Sequence, residues 1–274
     1  MSTGSSSHLE RTKPSLIVVG TGIQWRGQTT EAAARAIERA DCVLFAVTDA
    51  WAAAWLRERN PNAKSFDYPR DGRYRAEIYE AMVRDILAAL DAGQNVCAVF
   101  YGSPSWLTQP AHLAVRRARE RGFAARMLPG VSSVECLLSE LGLDAGRGGL
   151  TVFEATDYLK RERPIDTTVQ LVLCQIALID HRRTGDADTA RVQRGLQRLQ
   201  ARLLRAYSRD HEVVVYEASS HPLVASRVTR VPLGALEACA VSELSTLYVP
   251  PITPARQDAW SVAVETSPRS EGSH

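Results

Sequence analysis

The sequence lacks the features that mark membrane, secreted and metal-binding proteins. No apolar run among its 274 residues is long enough for a membrane span, and no charged-then-apolar signal peptide begins the chain. The cysteines are widely spaced and lie mostly inside apolar runs, without a Cys-x-x-Cys pair or a His-rich metal spacing. We therefore expect reduced core thiols, no metal site and a cytoplasmic protein.

An excess of charge of one sign is also missing. Lys and Arg number 33 against 31 for Asp and Glu, which gives a formal net charge of only +2. Because the arginines are spread along predicted helices rather than clustered, we expect no nucleic-acid partner. The remaining composition is that of an ordinary globular protein, long enough for one large domain or two lobes.

Alternating apolar strands and amphipathic helices dominate the chain. Their order predicts an α/β lobe with a largely parallel sheet over residues 14–145. A second α/β lobe with a mixed sheet is predicted over 146–252, joined near Asp144 to Gly149. Residues 1–13 are Ser-rich and read as a flexible arm, and residues 253–274 lose periodicity and read as a disordered tail.

One buried strand ends in residues suited to a binding site. Val96–Phe100 is a continuous apolar run, and Tyr101-Gly102-Ser103-Pro104 ends it with a phenol, a flexible Gly, a hydroxyl and a turn-forming Pro. In open α/β sheets, ligands bind at the carboxyl ends of the strands. The simpler interpretation is a tight βα turn without chemistry.

Three further segments point to the same edge of the sheet. Gly20-Thr21-Gly22 follows the first strand, although it is a weak match to a dinucleotide-binding motif. Ser132 and Glu135 form a capping box, so a helix begins there with free N–H groups. Arg75 and Tyr79 lie one turn apart near the start of another helix, where the guanidinium can reach the phenol oxygen. An exposed Arg packing on an aromatic ring is the alternative for this pair.

These segments, in this order, resemble the tetrapyrrole methylase superfamily. The three N-lobe signatures of that superfamily resemble Gly20-Thr21-Gly22, Gly102-Ser103-Pro104 and Pro129-Gly130-Val131-Ser132-Ser133. The resemblance is closer to one branch, the borosin peptide backbone N-methyltransferases, and covers roughly residues 15–252. It is closest in the segments 99–104, 125–132, 154–159, 161–164 and 245–251.

The resemblance implies a fold, a cofactor and a set of site residues. The fold is a two-lobed tetrapyrrole-methylase-like α/β fold, and S-adenosylmethionine binds between the lobes and leaves as S-adenosylhomocysteine. Arg75, Tyr79 and Tyr101 match the catalytic Arg and the two catalytic tyrosines of the branch. The residues that fall where the family lines the cofactor pocket are Tyr101, Ser103, Trp106, Ser132, Gln175, Tyr216, Ser245 and Thr246.

The chain also departs from the fungal members of the branch. Phe66 and Pro69 stand where those enzymes carry tyrosines, so the role of those hydroxyls must be absent or supplied by Tyr68 or Tyr74. The chain ends soon after Pro251, without the clasp region and core peptide of fungal members. It therefore resembles the split type, which acts on a separate precursor peptide, and we expect a homodimer, as in the branch.

The chemistry of amide methylation explains the residue types. A peptide nitrogen is a poor nucleophile, because its lone pair is delocalised into the carbonyl group. A guanidinium favours the ionised form of a phenol, whose pKa is about 10 without a neighbour. We hypothesise that Tyr79, activated by Arg75, takes the amide proton while Tyr101 hydrogen-bonds the carbonyl oxygen. The sequence leaves the two tyrosine roles exchangeable.

Two other functions compete with this one. A superfamily methylase acting on a corrin, a porphyrin or a protein side chain is the first. Against it, residues 20–30 lack the Gly-Pro-Gly-Asp-Pro loop usual there, and Ser103 replaces the usual Asp. A non-catalytic binding module that retains the fold is the second, and the presence of Arg75, Tyr79 and Tyr101 argues against it.

Overall fold

A first sheet of five parallel strands occupies the N-terminal half of the computed structural model, which describes residues 13–185 and 188–252. Its spatial order is β3-β2-β4-β1-β5, so β4 lies at the centre and pairs with both β2 and β1. The strands are β1 (Ser15–Gly20), β2 (Cys42–Ala46), β3 (Ala63–Ser65), β4 (Val96–Phe100) and β5 (Ala124–Met127).

Helices follow these strands, and the first four of them pack on this sheet. They are α1 (Glu31–Arg39), α2 (Ala50–Arg59), α3 (Arg75–Asp91), α4 (Gln109–Glu120) and α5 (Ser133–Leu141). Helix α1 begins because Thr30 accepts a hydrogen bond from the Ala33 amide, 3.1 Å away. Helix α3 buries the apolar positions that its spacing predicts, including Ile78, Met82 and Ile86.

A second sheet fills the C-terminal half in the order β6-β7-β10-β8-β9. Only β6 and β7 pair in parallel; β7, β10, β8 and β9 are antiparallel neighbours. Three of the described α-helices pack with this sheet: α5 from the first half, α6 (Ala155–Lys160) and α7 (Thr189–Leu203). The strands are β6 (Leu150–Glu154), β7 (Gln170–Cys174), β8 (Glu212–Glu217), β9 (Arg227–Pro232) and β10 (Thr246–Val249).

The predicted fold class is confirmed: one largely parallel sheet and one mixed sheet in an α/β chain. We place the boundary between the lobes after α5, in residues 142–149. The proposed arm 1–13 lies outside the described residues except for Lys13, and the proposed tail 253–274 lies entirely outside them. Strands β3, β6 and β9 were not predicted; β3 is only three residues long, and β9 alternates half-buried and exposed residues instead of forming an apolar run.

The lobes share an apolar contact and a backbone contact. Ile23 and Leu137 from the first lobe belong to one buried cluster with Val172 and Tyr216 from the second. At the start of α3, the Arg75 amide donates to the Arg182 carbonyl oxygen at 2.9 Å, and the Thr184 amide donates to the Arg73 carbonyl at the same distance. The second lobe therefore fixes the beginning of the helix that carries Arg75 and Tyr79.

Candidate active site between the lobes

Two glycine turns touch at the carboxyl ends of β1 and β4. Gly22 and Gly102 exchange both backbone hydrogen bonds, at 3.1 and 3.0 Å. A Cβ atom on Gly20 would lie only 2.0 Å from the Gly102 carbonyl oxygen, and Gly102 has a φ of 70°. The glycines of both motifs are therefore needed for close backbone packing, which explains the Gly-Thr-Gly pattern without a dinucleotide.

A cavity of about 200 Å³ opens beside these turns and is lined by both lobes. Six predicted cofactor residues lie on its wall: Tyr101, Ser103, Trp106, Ser132, Gln175 and Thr246. They come from separate positions along the chain, the turn after β4, the start of α5, the end of β7 and the start of β10. Ser132 also forms the predicted capping box, since its amide donates to the Glu135 carboxylate at 2.9 Å.

Two residues on this wall have unusual backbone conformations. Gln175 and Leu107 adopt left-handed conformations, with φ values of 59° and 55°. Such conformations are costly for residues other than glycine, and they concentrate at functional sites where the surroundings enforce them. Gln175 connects β7 to a short 3₁₀ helix (Ile176–Leu178), and this strained junction holds it at the cavity.

Tyr216 and Ser245 do not reach the cavity wall. Both are fully buried, and burial raises the pKa of Tyr216. The Ser245 hydroxyl donates to the Glu217 carboxylate and accepts the Ser242 amide at 2.8 Å. Its hydrogen bonds are thus made behind the wall, where they order the segment that leads into Thr246.

Glu217 is the central acceptor of the hydrogen bonds behind the cavity wall. Burial opposes ionisation of its carboxyl group, but hydrogen bonds from Arg227, Ser245 and Ser242 outweigh burial and lower its pKa. Arg227 donates through two guanidinium nitrogens, and the Ser242 hydroxyl donates at 2.7 Å. A half-buried carboxylate with several hydrogen bonds of this kind orders the loop before β10.

Arg75 and Tyr79 lie on the first turns of α3, against the second lobe. The Arg75 guanidinium donates to the His181 carbonyl oxygen at 3.4 Å, and its buried Nε has no hydrogen-bond partner. Tyr79 packs against the core of the first lobe. Burial raises the pKa of Tyr79 to about 12 and the neighbouring Tyr68 acts in the same direction, whereas Arg75 acts in the opposite direction.

Tyr101 has a different electrostatic environment. Burial raises its pKa to about 12, and the nearby Cys136 and Asp49 act in the same direction. Among the residues that the structure describes, no cation opposes these effects at Tyr101 as Arg75 does at Tyr79. The two phenols therefore have similar acidity, but only the ionised form of Tyr79 has a cation beside it.

Glu243 acts on Tyr79 from the cavity wall, and the sequence did not predict this residue. Its side chain lies on the cavity wall, and its charge acts on both Tyr79 and His181. A single Glu in the polar segment before β10 carries no sequence signal for such a position. His181 was also missed; it is buried, and its Nδ1 has no partner.

Tyr68 and Tyr74 are the two residues proposed to supply the hydroxyl groups that Phe66 and Pro69 lack. The structure gives them different surroundings. Tyr68 interacts with Tyr79. The Tyr74 ring instead packs under the Arg183 guanidinium, 3.9 Å from the ring centroid. Phe66 is buried and stacks on Phe100, with ring centroids 6.0 Å apart. Tyr68 is therefore the hydroxyl placed beside the candidate base.

Residues 13–185 and 188–252 contain neither a metal-binding cluster nor a membrane-spanning helix. In that part of the chain, no group of three His, Cys, Asp or Glu side chains is arranged to hold a metal ion. None of the helices described there has the length and apolarity to cross a membrane. All five cysteines are free thiols.

Sequence comparisons connect the chain to methyltransferases. Residues 15–237 match the family described as tetrapyrrole (corrin/porphyrin) methylases. The chain is 36% identical over 250 residues to the methyltransferase/ribosomally synthesized cyclic peptide dendrothelin A precursor of Dendrothele bispora, covering 88% of this chain and 59% of that protein. It is also 36% identical over 245 residues to the corresponding omphalotin A precursor of Omphalotus olearius, covering 86% and 58%. The predicted resemblance to the borosin branch is confirmed, and the chain spans less than two thirds of these relatives.

Structural comparisons give the same fold. The uroporphyrin-III-C-methyltransferase of Thermus thermophilus superposes with a TM-score of 0.60 at 20% identity, covering 88% of this chain and 93% of that chain. A diphthine synthase superposes with a TM-score of 0.61 at 16% identity, covering 88% and 91%. At these identities the likeness describes the fold and not the substrate.

Proposed function

We propose that this chain, which belongs to the tetrapyrrole (corrin/porphyrin) methylase family, methylates backbone amide nitrogens of a ribosomal precursor peptide with S-adenosylmethionine. One observation supports this most strongly. Glu243 lies on the wall of the strand-end cavity and its charge acts on Tyr79, so the Arg75–Tyr79 pair lies near that cavity. The names of the relatives, which combine a methyltransferase with a cyclic peptide precursor, point to the same activity.

The cavity has the donor set that S-adenosylmethionine requires. Gln175, Ser103 and Thr246 offer amide and hydroxyl groups for its polar parts, while Trp106 offers an aromatic surface. The Glu243 carboxylate on the same wall suits a cationic ligand. When bound, this cofactor supplies an electrophilic methyl group. Ser132 and Tyr101 complete the set that we propose to hold it.

The electrostatics favour Tyr79 as the proton acceptor. An amide nitrogen becomes a nucleophile only when its proton is lost, because resonance otherwise occupies its lone pair. Arg75 stabilises the phenolate of Tyr79, whereas every named influence on Tyr101 favours its protonated form. We therefore assign proton removal to Tyr79 and the hydrogen bond to the carbonyl oxygen to Tyr101. This is one of the two arrangements that the sequence left open.

The proposal includes two finer statements about partners. The acceptor is a separate polypeptide, and the enzyme works as a homodimer. Light scattering during size exclusion tests the dimer, and a monomer at assay concentration would refute that part.

A parallel comparison of substrates tests the proposed class of methyl acceptor. The protein is incubated with radiolabelled S-adenosylmethionine and, in parallel, with uroporphyrinogen III or with polypeptides encoded by the reading frames beside its gene. We expect label in a polypeptide. Label in uroporphyrinogen III, or only in the enzyme itself, would overturn the proposal of a separate peptide acceptor.

A further inference from the structure

A groove of about 460 Å³ runs between α7 and the segment 179–183, with Tyr74 at its edge. Its lining is dominated by guanidinium groups, although the chain as a whole carries a formal charge of only +2. These arginines are separated along the sequence and converge because α7 packs beside the short 3₁₀ helix that follows β7. They are Arg182, Arg183, Arg191, Arg194 and Arg198.

Few carboxylates neutralise this groove. Asp180, the acidic residue of its lining, is already bonded by Arg198 and lies 3.3 Å from Lys160. Arg194 and Asp188 are 4.0 Å apart and both exposed, so their attraction is weak. Within the part of the chain that the structure describes, no ion pair involves the side chain of Arg182 or Arg191. A net positive potential therefore remains available to a ligand.

The groove adjoins the candidate active site. Tyr74 precedes Arg75 directly, and the Arg182 carbonyl accepts the Arg75 amide at 2.9 Å. Arg183 is immobilised by stacking on Tyr74 and by donating to the Gly72 carbonyl at 2.9 Å. A chain bound in the groove would thus lie a few residues from Arg75 and Tyr79.

We propose that this arginine groove docks an acidic segment of the peptide whose backbone is methylated. The inference rests on the proposed function and names the recognition element of that substrate. Guanidinium groups pair with carboxylates through two parallel hydrogen bonds, which gives both affinity and orientation. Docking at a distance from the reacting amide raises the effective concentration of the neighbouring apolar stretch at Tyr79.

A peptide fits this surface better than a nucleic acid does. Stacking of bases needs exposed aromatic faces, and one face of Tyr74, the aromatic residue in this groove, is already covered by Arg183. The five arginines of this groove also form a compact cluster around one depression. A carboxylate-bearing segment therefore matches both the charge and the size of the groove.

Binding of a labelled probe tests the docking site without any methyl transfer. The probe is a fluorescein-labelled oligoglutamate, and its dissociation constant is measured by fluorescence anisotropy. We expect the double variant Arg191→Gln, Arg194→Gln to weaken binding by about tenfold, the effect of removing two charge-assisted contacts. The matched control is Arg116→Gln, Arg119→Gln, in a second arginine-rich depression that shares no lining residue with the groove; we expect it to bind as the wild type does.

The outcomes separate this inference from the proposed function. Equal binding by both double variants, or tighter binding of a single-stranded oligonucleotide than of oligoglutamate in the groove, would overturn docking. For a methylated polypeptide, the groove variant should raise KM and leave kcat unchanged. An unchanged KM would refute docking while leaving the methyltransferase activity intact, whereas failure of the wild type to methylate any polypeptide would refute the proposed function.

Discussion

The Arg75 amide donates a 2.9 Å hydrogen bond to the Arg182 carbonyl oxygen, so helix α3 of the first lobe begins on the backbone of the second. The Arg75 guanidinium also reaches the His181 carbonyl on the same segment. Neither lobe alone would hold Arg75 and Tyr79 in this position. The geometry of the candidate base therefore depends on the packing of the lobes against each other.

Removing the phenol oxygen of Tyr79 tests its assignment as base. Tyr79→Phe retains the ring that packs against the core and should lower the single-turnover rate constant by about 100-fold or more. Affinity for S-adenosylmethionine, measured by calorimetry, should stay unchanged because Tyr79 is not on the cavity wall. Tyr68→Phe is the matched control for a neighbouring hydroxyl, with a smaller expected loss. A Tyr79→Phe variant as fast as the wild type would exclude the assignment.

The charge of Arg75 should appear in the pH dependence of the rate. Because burial raises the pKa of Tyr79 to about 12, only a small fraction of its side chains is ionised at neutral pH. That fraction grows about tenfold with each unit by which the pH rises toward the pKa. The wild-type rate constant should therefore keep rising with pH through about pH 10, because the pKa of Tyr79 lies above that value. Arg75→Gln removes the one cation that lowers this pKa and should reduce the rate by about tenfold at each pH.

The conservative variant provides the control for Arg75. Arg75→Lys keeps the positive charge and should recover part of the rate lost in Arg75→Gln. A rate that does not depend on pH, or equal rates for the two variants, would show that Arg75 does not act through its charge on Tyr79.

Glu243 should distinguish the charged cofactor from its neutral product. S-adenosylmethionine bears a sulfonium charge that S-adenosylhomocysteine lacks, and the Glu243 carboxylate lies on the cavity wall. Glu243→Gln should weaken binding of the former by about fivefold, roughly 1 kcal/mol, and hardly affect the latter. Calorimetric titration with both ligands measures this. An equal loss of affinity for the two ligands would mean that Glu243 contributes through packing and not through its charge.

The Glu217 network should contribute to stability. Glu217→Gln breaks its pairing with Arg227 and weakens the bonds from Ser242 and Ser245, so the free energy of unfolding should fall by about 1–3 kcal/mol. Because the folded-state pKa of Glu217 is lowered, this contribution is present above the ordinary value of 4.5 and is lost as pH falls further. Urea unfolding at two pH values measures both effects.

An exposed pair on the same strands serves as control for Glu217. Glu212 and Arg230 lie 3.0 Å apart between β8 and β9, and both side chains are more than half exposed. Glu212→Gln should therefore cost less than about 1 kcal/mol. A loss as large as that of Glu217→Gln would contradict the importance given to the Glu217 network.

Sequence patterns predict local features of this chain well and long-range contacts poorly. The bounds of β4 and the capping box of α5 follow from apolar runs and side-chain types within a few residues. The approach of Gly20 to the Gly102 carbonyl is invisible in sequence, because it depends on how β1 and β4 pair. The same limit applies to Glu243, which owes its place beside Tyr79 to the packing of the lobes.

Family resemblance supplied candidate residues but not their positions. It named Ser245 and Tyr216 together with Gln175, whereas only Gln175 lies on the cavity wall. The left-handed conformation of Gln175 has no sequence signal, since the residue is neither Gly nor Asn. The arginines of the groove looked dispersed because their spacing along α7 conceals their convergence with Arg182 and Arg183.

Fragment-ion mass spectrometry of the acceptor peptide tests the central claim most directly. After incubation with enzyme and S-adenosylmethionine, we expect mass increments of one methylene unit, and the fragment ions should place each of them on a backbone nitrogen. The Tyr79→Phe enzyme should leave the same peptide almost unmodified under matched conditions. Methyl groups located on side chains, or backbone methylation that persists in Tyr79→Phe, would contradict the account.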